Sequence, residues 1–248
     1  MSQSVTEWGR KAADLYAPDY ARKYRQHDEE LGHVEAYHAF CNWLREICGR
    51  FTASEVEGLG GIDALDLGCG TGRYFAALSN INRLVGLDAS GPMLAEAAHP
   101  VDADHVTARS IELVEGDVLT QSFPPASFDL VYSIGVLAEH TPFDTRIVEN
   151  VATWLRPGGR FAFTTVHPQS ASIPKTPGRT FGAAVLPLSP PPLRQWLREK
   201  LTAGGQYADE ALIAERLGRH FQIESLTRLE SEAHLHCLCV AVKAGQAG

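Results

Sequence analysis

The 248-residue sequence predicts an α/β fold, a doubly wound, seven-stranded mixed sheet with an N-terminal helical lid. Three observations lead to this prediction. Short apolar runs alternate with helical patterns between residues 61 and 166, a glycine-rich turn follows the first of these runs, and the chain closes with two strands joined by a polar turn. Hydrophobic residues make up 44% of the chain and charged residues 21%, which is enough apolar material for one sizeable core.

The central region supplies the parallel part of the sheet. Its predicted strands are 62–67, 83–88, 111–117, 128–133 and 160–166, and its predicted helices are 71–80, 90–99 and 142–156. Strands and helices that alternate at this spacing form βαβ crossovers, with helices covering both faces of a parallel sheet. Two further strands, 221–229 and 234–242, are close enough in sequence to form an antiparallel hairpin at the end of that sheet.

The regions on either side of this core have other patterns. Residues 5–51 are helical in pattern, and Tyr16, Tyr20 and Tyr24 share one face if the helix continues through Pro18. Residues 167–192 are rich in Pro, Ser and Gly, and helices are expected near 193–203 and 207–219. We therefore treat the chain as one domain, divided into a helical lid (1–55), a core (62–166), an insertion with helices (167–220) and a terminal hairpin (221–243).

Charge and composition exclude several classes of protein. The formal net charge of −8 is opposite to what binding of a nucleic-acid backbone requires. No run of 18 apolar residues occurs, and the N-terminus lacks the apolar stretch of a secretory signal. The five cysteines are an odd number in such a chain, so reduced thiols in a cytoplasmic protein are expected. We expect no nucleic-acid or membrane partner, and the oligomeric state, including a homodimer, is left open.

The segment "ALDLGCGTGRYFAAL" has glycines at alternate positions, Gly68, Gly70 and Gly72, between a strand and a predicted helix. Glycines at such a junction allow a tight turn and let a ligand approach the backbone. A dinucleotide-binding fingerprint would have its third glycine at position 73, where this chain has Arg73. The Gly-Lys-Ser/Thr ending of a phosphate-binding loop is also absent, so neither of those nucleotide sites is predicted.

Acidic residues follow the next two strands. Asp88 ends the second strand, where a carboxylate can accept hydrogen bonds from both ribose hydroxyls of an adenosine, although it could also cap the helix that follows. Asp117 follows the third strand, where an adenine ring could lie, although a loop carboxylate is often only solvated. Together with the glycine turn, these residues predict a site for an adenosine-containing ligand.

These motifs resemble those of the class I S-adenosylmethionine-dependent methyltransferases, in particular the small-molecule group that includes quinone-biosynthesis enzymes. The similar segments are "ALDLGCGTGRYFAAL", "LVGLDASGPMLAEA", "IELVEGDVL", "SFDLVYSIGVLAEH" and "WLRPGGRFAFTTV", in the order of the family. The resemblance covers residues 62–166 and implies a Rossmann-like methyltransferase fold with S-adenosylmethionine as cofactor.

The resemblance also implies roles for individual residues. It places Asp66 and the three glycines at the methionine moiety, Asp88 at the ribose, and Ala89 and Met93 in the pocket wall. It places Asp117 and Val118 at the adenine and Ser133 beside the sulfonium. The Tyr16, Tyr20 and Tyr24 series is either a buried helix face or an aromatic lid over the sulfonium cation, with Tyr24 at the cofactor and Tyr16 and Tyr20 at the substrate.

Three residues after the fourth and fifth strands are candidates for proton transfer. His140 and His167 could each remove a proton from a hydroxyl or amine, and Glu139 could orient an amine nucleophile. Each histidine could instead be a capping or positioning residue. In "HLHCLC", residues 234–239, the histidines and cysteines point to opposite faces of a strand, so no metal site is predicted.

The predicted function is transfer of the methyl group of S-adenosylmethionine to an oxygen, nitrogen or carbon nucleophile of a small molecule by in-line displacement. Two alternatives stay open. The chain could use the cofactor differently, for example by cyclisation of the aminobutyryl chain with release of methylthioadenosine, or it could bind the cofactor without catalysis.

Overall fold

The structure is a computed structural model that describes residues 5–51, 60–173, 185, 188–201, 207–231 and 234–244. In these ranges the strands are β1 (Ile62–Leu67), β2 (Ile81–Asp88), β3 (Ser110–Glu115), β4 (Phe128–Ser133), β5 (Leu155–Val166), β6 (Phe221–Glu230) and β7 (Leu235–Lys243). The helices are α1 (Glu7–Leu15), α2 (Pro18–Glu29), α3 (Glu35–Gly49), α4 (Gly91–Ala97), α5 (Thr145–Trp154), α6 (Pro191–Leu201) and α7 (Glu210–Leu217).

The seven strands form one sheet in the order β3-β2-β1-β4-β5-β7-β6. The pairs among the first five strands are parallel, whereas β7 runs antiparallel to both β5 and β6. The predicted mixed, doubly wound sheet with a terminal hairpin is therefore confirmed. Strand order reverses between β1 and β4, and in such sheets ligands bind at the carboxyl ends of the strands beside that point.

The sheet is covered on both faces by apolar side chains. Every residue of β1 and of β4 is buried. One core cluster includes Phe143, Phe161 and Phe163, and the other includes α3 residues such as Leu44 and Ile47. Because strands that are buried on both faces carry near-continuous apolar runs, the sequence located β1 and β4 to the residue.

The predicted helix over residues 71–80 is wrong. This segment forms turns and a single 3-10 turn, Phe75–Ala77, before β2 begins. Gly72 and Asn80 both have positive φ, 74° and 57°. These two left-handed positions interrupt the helical backbone near each end of the predicted helix and leave seven residues between them. Phe75, Ala77 and Leu78 are buried, and their spacing resembles helical periodicity although no α-helix forms here.

The N-terminal segment is helical as expected, but the helix does not continue through Pro18. Helix α1 ends at Leu15, and Pro18 is the first residue of α2, a position where the missing N–H of proline costs nothing. Helices α6 and α7 confirm the two helices expected after the insertion. Much of the irregular segment 167–192, namely 174–184 and 186–187, lies outside the described residues.

All five cysteines are buried and free. In the part of the chain that the structure describes, no helix is both long enough and apolar enough to cross a membrane.

Candidate active site

A cavity of about 430 Å³ opens at the carboxyl ends of β1, β2 and β4. Its floor comes from the glycine turn after β1 and from Asp88 and Asp117, and its far wall from the turn at residues 134–141. Helices α1 and α2 close the remaining side of the cavity, with Leu15, Tyr16 and further residues. We refer to these two helices as the cover. Its volume is in the range of sites for cofactors and small molecules.

The glycine turn is shaped by left-handed backbone. Gly68 has φ of 78°, and a Cβ there would lie 2.4 Å from Val136 Cγ2, so a side chain is excluded by conformation and by packing. Gly70 has φ of 56°, and a Cβ there would meet only Met93 Cε, at 3.3 Å. Its N–H donates to Asp88 Oδ2 at 2.9 Å.

Asp88 is held in place by backbone donors on both oxygens. Gly70 N donates to Oδ2 and Ser90 N donates to Oδ1, each at 2.9 Å. Burial raises the pKa of Asp88, and these N–H donors oppose the rise. The cap of α4 is provided by the Ser90 hydroxyl, which accepts from Met93 N, and not by Asp88. Each Asp88 oxygen keeps a further lone pair for hydroxyl groups in the cavity.

Asp66 lines the cavity from β1 and is a buried carboxyl without a cationic partner among the described residues. Burial raises its pKa to about 8, although the Tyr132 hydroxyl beside it acts in the opposite direction. At neutral pH the fold therefore favours the protonated acid, which can donate one hydrogen bond and accept another.

Asp117 lines the cavity but already has three hydrogen bonds to protein groups. Its Oδ2 accepts from Thr6 N at 2.8 Å and from the Thr6 hydroxyl, and its Oδ1 accepts from Leu119 N at 2.9 Å. Thr6 is also the N-cap of α1. A Cβ on Gly9 would come within 2.4 Å of Asp117, so α1 sits directly against this carboxylate. The carboxylate anchors the cover, and its contact with adenine stays a prediction.

A buried ion pair attaches α2 to the glycine turn. The Asp28 carboxylate is fully buried and accepts from Arg73 Nε at 2.7 Å and from the Thr71 hydroxyl. The Arg73 guanidinium lies over the ring of Tyr24, 4.5 Å from its centroid. Arg73, noted in the sequence only as a departure from the dinucleotide fingerprint, is therefore a link between the cover and the glycine turn.

The three tyrosines come together although the helix is broken at Pro18. The rings of Tyr16 and Tyr20 are 5.4 Å apart, and those of Tyr16 and Tyr24 are 6.0 Å apart, both edge to face. All three line the cavity. One face of the Tyr24 ring is covered by the Arg73 guanidinium.

His140 and Glu139 lie on the wall that faces the cover. Tyr16 Oη is 3.2 Å from His140 Nε2, and Glu139 Oε1 is 3.9 Å from the same nitrogen. Burial lowers the pKa of His140 and raises that of Glu139 to about 7. The turn that presents them contains Ala138 at φ of 57°, a left-handed position for a residue other than glycine. The neutral imidazole of His140, the Tyr16 phenol and the Glu139 carboxyl group, with its pKa of about 7, thus meet where this wall contacts the cover.

Three of the predicted site residues do not line this cavity. Gly72 packs against the Phe75 ring, and the Ser133 hydroxyl donates to Leu67 O at 2.8 Å inside the sheet. His167 lies beside Glu210 and Cys237 instead. The other predicted residues line it together: Tyr16, Tyr20, Tyr24, Asp66, Gly68, Gly70, Asp88, Ala89, Met93, Asp117, Val118, Glu139 and His140.

His167, Glu210 and Cys237 lie close enough for their ligand atoms to approach one ion, within 4.8 Å of one another. However, Gln169 N donates to His167 Nδ1 at 3.1 Å, so the neutral ring carries its proton on Nε2, which faces Glu210 Oε2 at 3.4 Å. The Arg228 guanidinium pairs with Glu210 and lowers its pKa to about 2. In this tautomer Nε2 has no lone pair for a metal, and the group is an ion-pair network.

Among the cavity residues that the sequence did not predict are two from elements distant from the motifs. Phe40 comes from α3, and His236 from β7, where its neighbours suggested an ordinary strand residue. Only the pairing of β7 with β5, which sets His236 opposite Val166, brings it to this end of the sheet. No local pattern in the sequence signals that position.

Comparison with known proteins identifies the fold and its motifs. Residues 64–159 match the family described as "Methyltransferase domain". The chain carries a class I S-adenosylmethionine-dependent methyltransferase domain. The matched residues of this methyltransferase domain include the glycine turn, Asp88, Asp117 and the turn that carries His140.

Two curated relatives illustrate the similarity. A demethylmenaquinone methyltransferase from Lactococcus lactis subsp. lactis is 32% identical over 122 residues, 47% of each chain. A ubiquinone biosynthesis O-methyltransferase from Xanthomonas euvesicatoria pv. vesicatoria is 28% identical over 205 residues, 78% of this chain and 80% of that one. The chain spans about half the length of several of the curated relatives that it matches.

The fold also matches a solved structure. Magnesium protoporphyrin IX methyltransferase from Synechocystis, determined with bound S-adenosylhomocysteine, aligns with a TM-score of 0.61 at 18% identity. The alignment covers 96% of this chain and all of the other. At this identity the comparison establishes the fold.

The residues of the methyltransferase domain fit S-adenosylmethionine, the cofactor of this family. The Asp88 carboxylate, with spare lone pairs, lies at the end of β2, where ribose hydroxyls bind in such sheets. Gly70 adds no side-chain atoms to the floor of the cavity, and Met93 and Val118 supply apolar walls. Asp117 lies at the position expected for an adenine contact, although its carboxylate is hydrogen-bonded to Thr6 at the start of α1.

Proposed function

We propose that this chain transfers the methyl group of S-adenosylmethionine to a nucleophilic atom of a small molecule by in-line displacement. The observation that carries the proposal is the convergence of Asp88, the glycine turn and the His140 wall on one cavity beneath the cover. When bound, the cofactor supplies a methyl group already activated on a sulfonium. The protein then has to align the nucleophile and exclude water.

We favour a hydroxyl group as the acceptor. A hydroxyl has to lose its proton as it is methylated, and His140 is a neutral imidazole in contact with Tyr16 on the cavity wall. Similarity to the ubiquinone biosynthesis O-methyltransferase supports this choice. The aromatic surface of Tyr16, Tyr20 and Phe40 suits an acceptor with a flat or apolar frame.

The first test is calorimetric titration of the purified chain with S-adenosylmethionine and S-adenosylhomocysteine. Wild type is expected to bind both, and Asp88→Ala is expected to lose most of the affinity because the ribose loses its acceptor. Asp104→Ala, which removes an exposed carboxylate elsewhere, is the matched control and should bind as wild type does. Failure of the wild type to bind either ligand contradicts the proposal.

Product analysis separates methyl transfer from the alternatives. Adenosylhomocysteine formed in step with a methylated acceptor is expected. Methylthioadenosine would instead identify attack on the aminobutyryl chain, and binding without turnover of any acceptor in a broad hydroxylated panel would identify a module that binds the cofactor only.

The pH profile identifies the base. A general base works unprotonated, so kcat/KM rises with pH through the pKa of the base and then levels. Because burial lowers the pKa of His140 from its usual 6.5, the acid limb is expected below pH 6.5 and should disappear in His140→Gln. A limb near pH 7 that disappears in Glu139→Gln would assign the role to Glu139, whose pKa is about 7.

A further inference from the structure

The contact between Tyr16 and His140 joins the cover to the wall on the other side of the cavity. Tyr16 is the C-cap residue of α1, and His140 lies in the turn at residues 134–141. Tyr16 Oη and His140 Nε2 are 3.2 Å apart, and the two rings meet edge to face at a centroid distance of 5.7 Å. Both residues are only partly buried and line the cavity, so a molecule bound there can contact the pair.

Backbone hydrogen bonds fix the position of Tyr16. Its carbonyl accepts from the Ser90 hydroxyl at 2.7 Å, and Ser90 N in turn donates to Asp88 Oδ1 at 2.9 Å. Its own N–H donates to Ala12 O at 3.0 Å, in the last turn of α1. The phenol is therefore held by a residue next to the predicted ribose site, and because it belongs to the cover it contacts His140 only when the cover is closed.

Either partner can carry the proton in this contact. The Tyr16 hydroxyl can donate to Nε2, so that the neutral ring carries its own proton on Nδ1, or Nε2 can donate to the phenol oxygen. A phenol is a stronger acid than a neutral imidazole N–H, which makes O–H···N the stronger of the two hydrogen bonds. Burial raises the pKa of Tyr16 and lowers that of His140, so at physiological pH the phenol keeps its proton and the imidazole is neutral.

We propose that Tyr16 is a catalytic residue, which takes the proton of a phenolic hydroxyl of the methyl acceptor and passes its own proton to His140 Nε2. The proposal rests on the proposed function, because it assumes methyl transfer to a hydroxyl group in this cavity. The acceptor oxygen gains the methyl carbon as the bond from that carbon to the cofactor sulfur breaks. Its O–H bond breaks as Tyr16 Oη gains the proton, and the Tyr16 O–H bond breaks as His140 becomes an imidazolium.

Glu139 and solvent complete the path of the proton. Glu139 Oε1 lies 3.9 Å from His140 Nε2, and with a pKa of about 7 its ionised form is well populated at physiological pH. A carboxylate at this distance favours the imidazolium that forms on His140. The side chain of His140 is 35% exposed, so the proton can pass from it to water once the product has left.

The position of the proton on His140 is tested first, without any acceptor. The chain is labelled with ¹⁵N-histidine, saturated with S-adenosylhomocysteine, and examined at pH 8 by long-range ¹H–¹⁵N correlation, with His140 assigned from the spectrum of His140→Gln. A neutral ring protonated on Nδ1 is expected, because Nε2 accepts from Tyr16. A neutral ring protonated on Nε2 overturns the proposal.

Turnover is then measured at pH 8 with two probes, catechol and 4-nitrocatechol. Catechol has to lose a proton during methyl transfer, whereas the hydroxyl para to the nitro group is already ionised at this pH. Tyr16→Phe keeps the ring but removes the relay, so kcat/KM is expected to fall about a hundredfold with catechol and less than about threefold with 4-nitrocatechol. Equal losses with both probes identify a packing role and overturn the proposal, as does a wild type that binds S-adenosylhomocysteine but methylates neither probe.

Two further variants separate a relay from independent contributions. With catechol, the double variant Tyr16→Phe/His140→Gln is expected to be no slower than the slower of its single variants, because both substitutions interrupt one path. Losses that multiply in the double variant overturn the proposal. Tyr37→Phe is the matched control, since it removes a tyrosine hydroxyl from α3 that does not line the cavity, and it should keep the wild-type rates. Failure of S-adenosylhomocysteine itself to bind removes the proposed function instead, so the two failures are distinguishable.

Discussion

The cover and helix α3 follow one another in the sequence and both line the cavity, yet they are attached to the sheet in opposite ways. Helices α1 and α2 bury only Gly9, Ala21 and Asp28, whereas α3 buries six residues, among them Phe40, Trp43, Leu44 and Ile47. The cover is held largely by polar contacts, with Trp8 of α1 packed against the core, whereas α3 is held by its apolar face. Polar contacts exchange with water at little net cost, so the cover is suited to open and close while α3 stays in the core.

The polar contacts of the cover are made with residues of the predicted cofactor site or with their immediate neighbours in the sequence. Thr6 donates to Asp117, Asp28 pairs with Arg73 of the glycine turn, and the Ser90 hydroxyl next to Asp88 donates to Tyr16 O at 2.7 Å. Closure of the cover and binding of a cofactor are therefore expected to be coupled. The following predictions test this difference, from the largest expected effect to the smallest.

Leu44→Ala is expected to lower the free energy of unfolding of the whole domain by about 3 kcal/mol, because it leaves a cavity under α3. Denaturant unfolding followed by far-UV circular dichroism measures it. Glu46→Ala, on the exposed face of the same helix, should change stability little. If Leu44→Ala only increased hydrogen exchange in α3 and left the global transition unchanged, α3 would be as loosely attached as the cover.

Asp28→Asn leaves the Arg73 guanidinium without its charge partner, at a cost of about 2–3 kcal/mol. The loss is expected as local opening: faster hydrogen exchange in α1 and α2, unchanged exchange in the sheet, and weaker binding of S-adenosylhomocysteine. Glu29→Gln, which breaks only the exposed contact with Arg25, is the control and should have almost no effect. Uniform loss of protection across the sheet would show that the cover is part of the global folding unit.

Asp66→Asn is expected to raise the free energy of unfolding at pH 7 by about 1–2 kcal/mol. The pKa of Asp66 is about 8 in the folded protein and about 4 when unfolded, so the native state binds more protons between these values. Stability should therefore fall as pH rises through this window in wild type, and less so in the variant, as measured by calorimetry between pH 5 and 9.

Asp63→Asn is the contrasting variant on the same strand. Asp63 accepts from Arg156 and from Asn82, each at 2.9 Å, so its loss should destabilise the protein. Equal destabilisation by both substitutions would contradict the raised pKa of Asp66.

Thr6→Val removes both the cap of α1 and the hydroxyl contact with Asp117, at a cost of about 1 kcal/mol. Affinity for S-adenosylhomocysteine, measured by calorimetry, is expected to fall about threefold, because opening of the cover becomes easier. Asp144→Ala removes the cap of α5, a helix outside the cavity, and should cost similar stability without any change in affinity. Equal effects of the two substitutions on affinity would rule out coupling through the cover.

Much of the sheet could be predicted because its signals are local. Strands β1 and β4 are rich in apolar residues and buried along their whole length, Asp88 is the last residue of β2, and Asp117 lies two residues after the end of β3. The helix predicted after the glycine turn failed because burial of Phe75 and Leu78 imitates helical periodicity. The helical segment is interrupted at Pro18, yet Tyr16, Tyr20 and Tyr24 still converge, because packing of the cover and not continuous helical spacing brings them together.

By itself the sequence determined the fold class, the order of the strands and the positions of the motifs at the strand ends, since periodicity, turn chemistry and strand-end residues act over a few positions. The tertiary structure alone decided what those motifs contact. It assigned Asp117 to the cover, Arg73 to Asp28, His167 to Glu210 and His236 to the cavity. Partners that are distant in sequence meet only through strand order and register, and no local pattern encodes which side chains a parallel sheet and its antiparallel edge will bring together.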